Sequence, residues 1–191
     1  MFEKLLEKPS KQLLKIVIII TCLSFIILTI LFPICAPNTA STIYGIMNFE
    51  LAFTSKQIQI IFSVWNTNPL IFQEQILAVY LDYFLYIPSY TLFLGGLVLW
   101  FTRKFDGKIQ QIGLIITLTP LFAAIFDIIE NVGLLVMLND ANGYINGTAS
   151  AIIPMITSIC ASIKFLFLIV AIFFALISII YWVFIRRRKT E

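Results

Sequence analysis

The chain has 191 residues, 60% of them hydrophobic, 15% aromatic and 12% charged, with no histidine and a mean hydropathy of +0.99. That balance lies outside the range of a water-soluble domain and points to a membrane protein. The missing imidazole excludes histidine general bases, histidine-ligated haem and the usual zinc sites, and three cysteines without a C-x-x-C pair leave little for redox chemistry. Neither a metal nor a cofactor is expected.

A spanning helix needs about 20 mostly apolar residues, because the hydrocarbon core is ~30 Å thick and a helix rises ~1.5 Å per residue. Four segments meet that length, at about 13–34, 76–101, 112–138 and 156–185, which predicts an all-α, four-span bundle. Lys4, Lys8, Lys11 and Lys15 precede the first span. Arg103, Lys104 and Lys108 join the second to the third, and Arg186, Arg187, Arg188 and Lys189 follow the fourth. The opposite loops carry only Lys56, so the bias of Lys and Arg toward cytoplasmic segments places both termini in the cytoplasm. Topology thus accounts for the net charge of +3, and no nucleic-acid partner is needed to explain it. The first span is too long for the apolar region of a cleaved signal peptide, about 7–15 residues, and reads as a retained helix. No repeat or linker divides residues 1–191, so a single membrane domain is expected.

The first outer loop, 35–75, is long enough to hold structure. Thr54 and Gln57 fit a capping box, and Ile58, Ile61, Phe62 and Trp65 follow at helical spacing. This predicts a short amphipathic helix that lies at the interface or lids the bundle, with Trp65 anchored at headgroup depth. The second outer loop, 139–150, is rich in Asn and Gly.

Ionisable side chains inside spans carry the functional signal, since each costs about 2.5–3.5 kcal/mol near a helix centre. There are four: Asp82 in the second span, Asp127 and Glu130 in the third, and Lys164 in the fourth. Counted inward at ~1.5 Å per residue, all fall in the outer half, on the order of 10–16 Å below the boundary. Asp127, Glu130 and Asn131 share one helix face, as do Asp82, Tyr86 and Tyr90, so a common polar cluster is expected. Cys35 and Cys160 both fall near the outer boundary, and nothing in the sequence fixes them at bridging distance.

These residues also carry a resemblance. Phe49-Glu50-Leu51-Ala52-Phe53-Thr54-Ser55 leading to Trp65, Leu81-Asp82-Tyr83-Phe84 leading to Tyr90, and Asp127-Ile128-Ile129-Glu130-Asn131 are similar to the motifs of a family of uncharacterised bacterial four-span membrane proteins. The resemblance covers about residues 48–139 and implies a bacterial inner membrane and an intramembrane polar cluster. It implies no particular reaction.

The residues permit several functions. An outward-facing acidic pocket of Asp82, Tyr86, Tyr90, Asp127, Glu130, Asn131 and Lys164, lidded near Glu50 and Trp65, would hold a lipid or small amphipathic molecule by its head. Alternatively, the same polar network serves only helix packing in a structural or accessory subunit. An isomerase- or hydratase-like enzyme would use the carboxyls as acid and base. Transport fits less well, because the inner half lacks matching polar steps, although a homo-oligomer could supply them.

Overall fold

A computed structural model describes residues 2–188, with side chains described for 5–183. The basic side chains of Lys4, Arg186, Arg187, Arg188 and Lys189 lie outside the described residues. The described chain is all-helical, and four of its helical stretches are long and apolar enough to cross a membrane: Lys11–Cys35, Leu70–Thr102, Gly107–Asn139 and Ile152–Val183. Large apolar side chains such as Ile20, Ile27, Phe84, Phe173 and Ile177 stand exposed along them, an arrangement suited to lipid.

In chain order, α1 (Phe2–Glu7) precedes α2 (Lys11–Cys35), the first span. Three short helices, α3 (Pro37–Ala40), α4 (Ile46–Glu50) and α5 (Ser55–Trp65), form the connection to the second. That span is α6 (Leu70–Leu81), a π-helical turn over Asp82–Tyr86 and α7 (Ile87–Thr102). The third is α8 (Gly107–Ile116) and α9 (Thr119–Asn139), followed by α10 (Ala141–Ile145) and then α11 (Ile152–Arg188).

Two prolines explain the irregular turns. Pro88 has no N–H for the carbonyl of Phe84, four residues back, and the helix widens just before it, with Ile87 N–H reaching Asp82 O. Pro120 likewise leaves the Ile116 carbonyl without its helical donor, and the Thr119 hydroxyl donates to it instead at 2.8 Å. The second span starts six residues earlier than its apolar run suggests, because Glu74 and Gln75 are satisfied within the protein. Glu74 accepts from the backbone N–H and side chains of Asn38 and Thr39, and Gln75 Nε2 donates to Thr39 Oγ1 at 2.9 Å.

Although no sequence feature divides the chain, its packing separates into two compact units. The first takes the described residues of Met1–Phe25, Ser89–Ala123 and Phe165–Glu191. Here Leu14, Leu99 and Leu114 pack together, and Ala171 and Ala175 close on Val98. Arg103 donates through its guanidinium to Leu5 O and Pro9 O, tying the N-terminal segment to the α7–α8 connection. Lys104 Nζ sits 4.1 Å from the Trp182 ring centroid and 4.8 Å from that of Phe101.

The second unit, Ile26–Pro88 and Ala124–Lys164, contains the larger core. The Thr54–Gln57 capping box starts α5, as its spacing predicts. Ile58, Ile61, Phe62 and Trp65 then face inward against Phe49, Leu134, Met137 and Tyr144. Trp65 corrects an expectation. It is fully buried, with Nε1 donating to Tyr44 O at 2.8 Å and its ring 5.2 Å from that of Phe49, so it belongs to the core and not to a headgroup anchor. The α5 helix is held to α10 by Gln59 Nε2 donating to Ile145 O at 2.9 Å. Gly147 follows α10 at φ 74°, a left-handed position that favours glycine.

Candidate functional site

The site lies within the second unit and is built around Lys164 of α11. Helical spacing brings Asp127 and Glu130 of α9 to the same ammonium: Glu130 Oε2 is 2.8 Å from Lys164 Nζ and Asp127 Oδ1 is 2.9 Å away. A third carboxylate arrives from outside the spans. Glu50, the last residue of α4, places Oε2 3.6 Å from the same nitrogen. Its backbone is fixed as well, since Ser158 Oγ donates to Glu50 O at 2.8 Å.

The fourth acid, Asp82, begins the π-helical turn. Its Oδ2 accepts from Asn131 Nδ2 at 2.6 Å, so Asn131 extends the polar face of α9 by one residue toward the second span. Tyr86, one turn on, packs edge-to-face on Phe32 at 5.5 Å and pairs through its hydroxyl with Thr29 of α2. Asp127, Glu130, Asn131 and Lys164 are buried, while Asp82 and Tyr86 are partly exposed.

Of the residues singled out from the sequence, the structure thus gathers Glu50, Asp82, Asp127, Glu130, Asn131 and Lys164 into one network, with Tyr86 beside it. Tyr90 is buried and belongs to the first unit. Glu50 has a different place from the lid position read from the sequence: it is a direct partner of the intramembrane lysine. Ser158 and Thr29 are additions to the site, and the sequence offers no signal for Ser158, whose partner is a backbone carbonyl 108 residues away.

The electrostatics are unbalanced. Among the described residues, four carboxyls surround one ammonium, and like charges in a medium of low dielectric repel strongly. Burial raises the Glu50 carboxyl above its ordinary value; Lys164 opposes that shift and the Asp127 charge adds to it. Hydrogen bonding is also incomplete. Glu50 Oε2 and both carboxyl oxygens of Glu130 are buried without a well-aligned hydrogen bond, the contact of Glu130 with Lys164 being an ion pair. Cys160 lies one turn from Lys164, and it, Cys22 and Cys35 are free thiols. No group of three or more His, Cys, Asp or Glu side chains among the described residues is arranged to hold a metal ion.

Comparison with protein-family models, curated proteins and solved structures finds no match to this chain. Fold and site by themselves define a helical integral membrane protein with a buried carboxylate–lysine network.

Proposed function

We propose that the protein binds a lipid or small amphipathic molecule by its polar head at the acidic cluster around Lys164. The surplus of four carboxyls over one ammonium carries this reading. A network built only for packing gains about 0.6 kcal/mol per interhelical polar contact and has no use for unmatched acids. A ligand bearing a cationic or hydroxyl head supplies the missing donors. Asp82, partly exposed beside the Tyr86 ring, is the point of entry.

In this reading the lysine- and arginine-rich ends and the α7–α8 connection face the cytoplasm of a bacterial inner membrane. The cluster then opens toward the opposite side, under the α3–α5 connection. Cysteines placed at Lys56 and Lys108 should react with an impermeant maleimide from opposite faces of the membrane.

A second reading is favoured by the closure of the cluster, in which Glu130 has 0% exposure: the network only locks α4, α9 and α11 together. Native mass spectrometry of wild type, Asp82→Asn and Glu130→Gln separates the two. A co-purifying molecule present in the wild type and lost from both variants supports binding. Three equally folded and equally empty samples overturn it and leave the packing role.

A further inference from the structure

We propose that Glu50 and Glu130 bind one proton between them, as an acid–carboxylate pair that clamps the α4 segment to α9. The proposal goes beyond ligand binding and does not depend on it. Three observations carry it. Glu50 and Glu130 each turn Oε2 toward the same ammonium, 3.6 and 2.8 Å from Lys164 Nζ, which brings the two buried carboxyls side by side. Glu50 Oε2 and both oxygens of Glu130 are nevertheless buried without a well-aligned hydrogen bond. Lys164 does not complete the set: its Nζ reaches Glu130 Oε2 at 2.8 Å but stands 3.6 Å from Glu50 Oε2, and Glu130 Oε1 is buried with no partner.

Two ionised carboxylates side by side offer only acceptors, so they repel and share nothing. One proton, taken from water, turns the contact into an O–H···O⁻ bond, which is among the shorter and stronger hydrogen bonds in proteins. The pair then carries a single negative charge, and Lys164 no longer faces three full carboxylates. The other titratable groups facing the pair are engaged elsewhere. Asp82 is held by Asn131, Asp127 by Lys164 and Tyr86 by Thr29, while Cys160 is a thiol on the Lys164 face of α11.

The pair is also a mechanical junction. Glu50 ends α4, its carbonyl is held by Ser158, and its neighbour Phe49 is fully buried against Trp65. Loss of the shared proton to water or hydroxide leaves two adjacent anions at that junction. Repulsion then drives Glu50 away from α9 and loosens α4.

Infrared spectroscopy of the protein in lipid nanodiscs, with ¹³C-carboxyl glutamate and unlabelled aspartate, tests the shared proton. Expected is a carboxylic-acid C=O band carrying the glutamate isotope shift at neutral pH, where an ordinary glutamate side chain, with a pKa of about 4.3, is almost wholly ionised. The band should vanish in Glu50→Gln and in Glu130→Gln and persist in Glu7→Gln. Glu50→Gln retains an amide donor toward Glu130 and all the direct spanning-helix partners of Lys164, so it carries the test should Glu130→Gln fail to fold. No isotope-shifted band at neutral pH overturns the proposal. So does a band of full intensity in either cluster variant, since the proton would then belong to one residue alone.

Discussion

Asn131 Nδ2 donates to Asp82 Oδ2 across 2.6 Å, joining the π-helical turn of the second span to α9. Because the carboxyl depends on this amide for its donor, the two members of the pair should respond differently to substitution. Asp82→Asn keeps a side chain that can accept from Asn131 and should cost no more than about 0.6 kcal/mol, the typical worth of an interhelical polar contact. Asn131→Leu strips the carboxyl of its donor and should cost about 1–3 kcal/mol. Thermal or SDS-induced unfolding in detergent reads both, and equal losses would show that the hydrogen bond does not set the pair's contribution.

Lys164 is the hub of the ion network, and its removal should be the most damaging change in the cluster. Lys164→Met keeps much of the side-chain length but leaves Asp127 and Glu130 as buried acids without their cation, at a cost of about 3–5 kcal/mol. The deficit relative to wild type should shrink in acid, because proton uptake by the stranded carboxyls removes charge that has no partner. Unfolding curves of both proteins at several pH values check this, and a deficit that stays constant would argue against charge burial as its cause.

Much of this site is legible in the sequence, for a physical reason. Inside a span an ionisable residue is so costly that it stands out, and helical spacing then orients Asp127, Glu130 and Asn131 together. Glu50 is visible only in part: it is the one acid between residues 36 and 69, but nothing local says that α4 folds back to Lys164. Trp65 misleads because an amphipathic helix can turn its apolar face to lipid or to protein, and its spacing is the same in both cases. The early start of the second span is hidden as well, since Glu74 looks like a loop residue until α3 satisfies it.

Because the Glu50 carboxyl is raised above its ordinary value, chiefly by burial, its seating against α9 should be pH-dependent with a definite sign. A group raised in the folded state contributes stability that is fully present below its unfolded value and is lost as pH rises through the folded one. Alkaline conditions should therefore release α4 and unseat Phe49 from Trp65. In a Trp100→Phe, Trp182→Phe background, Trp65 emission should shift to the red as pH rises, and Glu50→Gln should abolish that shift. An unchanged profile in Glu50→Gln would assign the transition to another group.

The α9–α11 contact that aligns Asp127 and Glu130 with Lys164 depends on Gly133. A Cβ at this position would collide with Thr157 Oγ1 and stand 3.1 Å from Thr157 Cβ and 3.3 Å from its Cγ2, so a side chain fits only if Thr157 gives way. Close approach through a small residue is a common way for spanning helices to pack, and filling the space here should cost about 1–3 kcal/mol through overpacking. Gly133→Ala should lower the unfolding temperature. Adding Thr157→Ala should recover only part of the loss, because removing the hydroxyl relieves the worst contact while the Thr157 Cβ position remains occupied. Full recovery would show that the Thr157 hydroxyl and methyl, and not its Cβ, make the clash. No recovery at all would mean that the loss arises elsewhere than at the α9–α11 contact.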